Sequence, residues 1–145
     1  MKLLLFTFLI CLSLGDMAAA QVVVIAHPLV KQENISQAEL LDFYSREIRL
    51  WDNGEPVVVF DLKPKSEVKE TFYKYLGKSI SRMKSIWMKK MLSGEGDPPE
   101  ALETEEAVVK KVAATPGSVG FVSQSKVTEK VKVLIVIEPE TEKDE

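Results

Sequence analysis

Few side chains in this sequence are suited to covalent or metal chemistry, and they are not clustered. His27 is the only histidine and Cys11 the only cysteine. A Ser-His-Asp arrangement would have to use His27, and no G-x-S-x-G turn presents a serine to it. His27 precedes Pro28 at the end of an apolar run, where a structural role is expected. Transition-metal centres draw mainly on imidazole and thiolate, so a metal site here would need carboxylates almost alone. Carboxylates are plentiful, but they fall in candidate helix first turns and in the C-terminal tail, without paired acid and base spacing. No Walker loop and no G-x-G-x-x-G occurs. The chain reads as a non-enzyme with no cofactor and no metal.

Non-covalent anion binding is the chemistry that remains. Pro56 to Tyr75 reads PVVVFDLKPKSEVKETFYKY. Val57 to Phe60 is β-branched and aromatic, as a buried strand would be. A polar turn is expected over Asp61 to Lys65, with Pro64 inside it. Ser66 then opens a helix whose apolar positions, Val68, Phe72, Tyr75 and Leu76, share one face. A strand feeding a helix N-terminus offers free N–H groups and the positive end of the helix dipole to an anion. Lys63 and Lys65 stand beside that spot. The candidate oxyanion seat is therefore Lys63, Lys65, Ser66, Glu67, Val68 and Lys69. A plainer reading stays open, in which Ser66 is only a helix cap and the lysines are solvated loop charges.

The elements that would position this seat follow from patterning. Within the 145 residues, Lys2, an apolar stretch from Leu3 to Leu14 and Ala18-Ala19-Ala20 resemble a secretory signal peptide, cleaved near Ala20. The apolar stretch is too short to span a bilayer. Cleavage would remove Cys11 and leave an exported domain without disulfides, periplasmic or secreted. The leader holds one lysine and one aspartate, so the net charge of −3 is unchanged by its loss and gives no field for nucleic acid. Gln21 to Ala26 predicts a strand. Ser36 and Glu39 form a capping-box pair before a helix carrying Leu40, Leu41, Phe43 and Tyr44. Asn34-Ile35-Ser36 matches a glycosylation sequon but is read as chance, since Ser36 serves as the cap. Asp52-Asn53-Gly54 is a turn.

Further along, Gly77 ends the central helix. A third helix runs from about Ser79 to Leu92, with Ile80, Met83, Trp87 and Met91 on one side and Arg82, Lys84, Lys89 and Lys90 on the rest. Ser93 to Pro99 is a loop. A fourth helix starts near Thr104 and turns Val108, Val109, Val112 and Ala113 inward. Ser118 to Ser123 and Val131 to Ile137 are strands, and 138–145 is an acidic tail expected to be disordered. The predicted order is β-α-β-α-α-α-β-β over residues 21–137. The fold class is α/β, a single small mixed sheet flanked by helices.

Several segments, taken together, resemble a known family. DFYSREIRLWDNGEPVVVFDLKPKS is similar to the iF-x-G-k-i-x-x-W-x-x-G stretch of periplasmic phosphate-binding proteins of ABC importers, through Phe43, Ile48, Trp51 and Gly54. Ser45 stands where that family usually has glycine. Ser66 and Phe72 match the following helix start and its buried aromatic. Trp87 to Pro99 resembles W-x-x-x-x-x-x-G-x-G-x-x-P, and VAATPGSVGFV (112–122) resembles V-x-x-x-P-G-a-I-G-Y-v. The resemblance implies one lobe of a type II periplasmic binding protein. It also implies an oxyanion held by serine and backbone donors, with Ser66 as the matching serine.

Two departures stand out. Glu67 and Val68 replace the glycine and threonine that follow that serine in the family, and Leu62 replaces an arginine. A carboxylate at residue 67 would repel phosphate by about 1–4 kcal/mol at ~4 Å. Two functions are thus implied. One is an exported substrate-binding-protein-like domain that takes phosphate or another oxyanion, in the setting of an ABC transporter. The other is an envelope protein-interaction module that has kept the fold and lost the ligand. A second lobe, a homodimer or an envelope protein would complete either.

Overall fold

The computed structural model describes residues 21–138; the expected leader and all but the first residue of the acidic tail lie outside them. The apolar run after Gln21 forms β1 (Val22–Ala26), buried on both faces. Ser36 caps α1 (Gln37–Tyr44) by accepting from the Glu39 N–H. Only half of the capping box forms, because the Glu39 carboxylate accepts from Gln32 Nε2 instead of reaching back to the cap. Next come β2 (Val58–Leu62), α2 (Glu67–Leu76), ended by Gly77 at φ 75°, and α3 (Ile80–Leu92). Then follow β3 (Glu100–Leu102), α4 (Glu105–Ala114), β4 (Ser118–Ser123) and β5 (Lys132–Ile137).

The five strands make one mixed sheet in the order β3-β2-β4-β1-β5. β2 runs parallel to β3 and β4, while β1 is antiparallel to β4 and β5. Parallel neighbours need crossovers; α2 and α3 supply one, and α4 supplies the other.

Neighbouring residues of β4 show how the layers are divided. Phe121 stacks on Phe72 of α2, with ring centroids 3.9 Å apart, and lies edge-on to Tyr73. Gly120 faces the opposite side, where a Cβ would come within 2.7 Å of Val108 and 3.1 Å of Val112 in α4. Glycine is what lets α4 lie this close to the sheet. α3 forms an outer layer on the α1–α2 side, where the Trp87 indole N–H donates to the Tyr44 carbonyl at 2.7 Å. The Tyr44 hydroxyl in turn donates to the Phe60 carbonyl at 2.8 Å.

α2 buries Lys69, Phe72, Tyr73 and Leu76, with Val68 and Tyr75 only partly covered, and three more features differ from the sequence expectation. β3 was not expected; it is a three-residue edge strand without an apolar run, and its pairing with Phe60 to Leu62 alone creates it. Asp61, expected in a turn, is the fourth residue of β2 and is 3% exposed. On α3, Met91 is exposed rather than inward, and Lys90 lies against Glu47 at 2.7 Å instead of in solvent.

Candidate functional site

The β2–α2 junction places Ser66 in extended backbone (φ −152°, ψ 163°) as the N-cap of α2. Its Oγ accepts from Lys69 N at 3.2 Å, and its carbonyl accepts from Glu70 N at 3.0 Å. The amides of Glu67 and Val68 have no partner among the described residues. These two N–H groups and the hydroxyl of Ser66 would be the neutral donors of the expected seat. Because β2 and β3 are parallel and Lys63 N donates to Leu102 O at 2.8 Å, α4 starts at the same end of the sheet. Thr104 caps it in the same way, accepting from Ala107 N at 3.0 Å.

The lysines expected around this seat are all engaged with carboxylates. Lys63 meets Glu103 at 3.0 Å and Lys65 meets Glu70 at 3.8 Å, with both pairs well exposed. Such pairs are weak and exchange readily with solvent or another anion. Lys69 behaves differently. Its side chain turns inward and is buried with Asp61, Nζ to Oδ2 3.4 Å. Glu67 points to solvent and Val68 is partly buried against the core. With Glu67, Glu70, Glu105 and Glu106 in the two helix first turns, the dipoles at this end are opposed largely by the chain's own carboxylates.

Beneath the seat lies a polar cluster that sequence reading missed. Asp61 Oδ1 accepts from the Tyr73 hydroxyl and from Leu62 N, each at 2.9 Å, while Oδ2 faces Lys69. Burial first, and then the charge of Asp61, push the Tyr73 phenol far above its usual range; Tyr44 is raised by the same two causes. Both tyrosines therefore stay neutral hydrogen-bond donors. The cluster ties the first two turns of α2 to the end of β2 and so fixes where the Ser66 cap stands. A signal for it was present: residues 69, 72, 73 and 76 are the buried positions of α2, an i, i+3, i+4, i+7 set that includes a lysine. Asp61 is separated from Val59 by one residue, and so shares its sheet face.

This arrangement can hold a ligand by hydrogen bonds, and it has no nucleophile–base pair. His27 Nδ1 accepts from Leu29 N at 3.1 Å in a turn at the far end of β1. Among the described residues, no group of three or more histidine, cysteine or acidic side chains is placed to bind a metal, and no helix is long and apolar enough to cross a membrane.

No family model matches the chain, and no curated protein matches it. Solved structures do. A protein described as a phosphate ABC transporter substrate-binding protein, with bound phosphate, from Clostridium perfringens aligns with TM-score 0.67 and 16% identity, over 81% of this chain and 45% of that one. An ABC-type phosphate transport receptor from Vibrio cholerae aligns with TM-score 0.64 and 16% identity, over 81% and 46%. PstS from Borrelia burgdorferi gives 0.61 and 14%, over 81% and 47%. At these identities it is the fold that is shared. The chain has the architecture of one lobe of the phosphate-binding proteins, and it spans less than half the length of these three structures.

Proposed function

We propose that this chain is an exported, one-lobe relative of the phosphate receptors, not an enzyme, that takes phosphate or a similar oxyanion on the first turn of α2. The observation that carries this reading is the Ser66 cap at the end of β2, with the Glu67 and Val68 amides unpaired beside it. Ser66 supplies a hydroxyl, the two amides supply N–H donors, and Lys63 and Lys65 exchange their surface carboxylates for the ligand. The seat is open on one side and bordered by Glu67, so binding is weak, in the millimolar range that corresponds to about 4 kcal/mol. A second lobe or an envelope partner, in the setting of an ABC transporter, would close over it.

The test is calorimetric titration of phosphate and sulfate into wild type and Ser66→Ala. Millimolar binding by the wild type that weakens about tenfold in the variant supports the proposal. Absence of heat from both proteins up to saturating salt sinks it.

A second reading is favoured by one observation. All three lysines of the expected seat already face carboxylates of the same chain, Glu103, Glu70 and Asp61. In that reading the fold is kept, the anion is lost, and the module docks to an envelope protein. A silent titration together with a co-purifying envelope partner decides for it.

A further inference from the structure

The connection between α1 and β2 carries a second set of groups that the oxyanion seat does not use. Arg46 follows the C-cap Ser45 of α1 and has φ 65°, the one non-glycine residue with positive φ among the described residues. That position after a helix normally goes to glycine, because a Cβ there is strained. Among the described residues its guanidinium makes no ion pair, and its Nε and Nη1 are buried without any hydrogen-bond partner. Buried polar groups nearly always have partners, so a buried guanidinium edge without one calls for a reason.

Arg49 stands close by and also has no ion pair or side-chain hydrogen bond among the described residues. The 93–97 loop lies against it, and a Cβ on Gly96 would come within 3.1 Å of Arg49 Nη2. Burial and then the Arg49 charge lower the Arg46 pKa, and Asp97 is near enough to offset part of that. Asp97 nevertheless forms no ion pair with either arginine. Between and after the two arginines, Ile48 and Leu50 are 40% and 54% exposed.

We infer that Arg46, Ile48, Arg49 and Leu50 form a docking strip for an acidic, apolar-interleaved peptide segment of a partner protein. Paired guanidinium groups match carboxylates by two-pronged hydrogen bonding. Two exposed aliphatic side chains on the same five-residue stretch add apolar contact that an inorganic anion cannot use. Arginine is among the residue types enriched where an interface concentrates its binding energy. The partner's carboxylate takes the place that Asp97 leaves open, and the 93–97 loop shifts to admit it to the buried edge of Arg46. The strained backbone at Arg46 is then retained for its side chain.

The strain provides a variant in which fold and docking move in opposite directions. Arg46→Gly is expected to unfold at a denaturant concentration at least as high as wild type, since it relieves the positive φ. The probe is a synthetic peptide alternating glutamate and leucine, titrated into labelled protein and followed by amide chemical shifts. Saturable shifts at residues 46–50 and 93–97 are expected. They should weaken at higher salt, and the affinity should fall about tenfold or more in Arg46→Gly and in the exposed Arg49→Gln. Three results overturn the inference: no shifts at 46–50, equal shifts in the variants, or the same shifts from inorganic phosphate alone. A lysine–leucine peptide producing equal shifts overturns it as well, since the surface would then be only sticky. Loss of stability in Arg46→Gly shows that the arginine is there for the fold and also overturns it.

Discussion

Breaking the pair beneath the seat should cost far more than removing it. Lys69 and Asp61 are 7% and 4% exposed at the side chain and 3.4 Å apart. With an effective dielectric of about 20, their attraction is roughly 5 kcal/mol. Taking each charge out of water costs several kcal/mol, so the pair as a whole contributes little net stability. A single substitution leaves one charge without its partner. In Lys69→Met, Asp61 keeps the Tyr73 hydroxyl and the Leu62 amide, so the loss should lie near the low end of the range for a broken buried pair, about 3 kcal/mol. In Asp61→Asn, the ammonium of Lys69 has no anion left, and the loss should be about 3–5 kcal/mol.

The double variant Asp61→Asn/Lys69→Met buries no net charge and keeps an amide for Tyr73 to bond, so it should lose only about 1–2 kcal/mol. Urea unfolding of the four proteins at neutral pH gives the coupling energy directly. A coupling of about 3 kcal/mol or more is expected, well outside additivity. If the double variant costs the sum of the singles, or if either single costs under about 1 kcal/mol, the pair is not coupled and does not hold α2 to β2.

Other consequences can be tested with the same protein. Glu67→Gln removes the carboxylate bordering the seat and should raise phosphate affinity about fivefold at low salt, corresponding to roughly 1 kcal/mol of repulsion; a titration showing no gain would remove residue 67 from the site. Tyr73 and Tyr44 have phenol pKa values raised by burial and by the Asp61 charge. Above about pH 10 the unfolded chain loses these protons while the native state keeps them. Stability should therefore be unaffected by these groups below about pH 9 and fall above it by up to ~2.7 kcal/mol per pH unit for the two groups, as read by denaturant midpoints across alkaline pH. Gly120→Ala would place a methyl group 2.7 Å from a Val108 methyl and 3.1 Å from one of Val112. Both valines are stiff, so about 1–3 kcal/mol of destabilisation is expected in thermal or urea melts.

What could be read in the sequence was local. Ser36, Ser66, Ser79 and Thr104 all cap helices, because a short polar side chain ahead of an amphipathic run has one favourable use. The apolar runs gave four of the five strands, and the shared order of motifs pointed to one lobe of the phosphate-binding fold that the solved structures display.

What only the tertiary structure decided was partnership. Glu100 to Leu102 carries no strand signal of its own and becomes β3 by pairing with β2. Helical spacing alone places Lys69 on the same side of α2 as Phe72, Tyr73 and Leu76, but it does not say which group a lysine there would meet. That group is a carboxylate eight residues earlier, on the strand face that α2 covers. The same holds for Arg46, an ordinary surface residue by type, which three-dimensional packing placed in left-handed backbone with its guanidinium edge covered. Charge is fixed residue by residue along the chain, but the energy of a charge depends on what surrounds it, and folding alone brings those surroundings together.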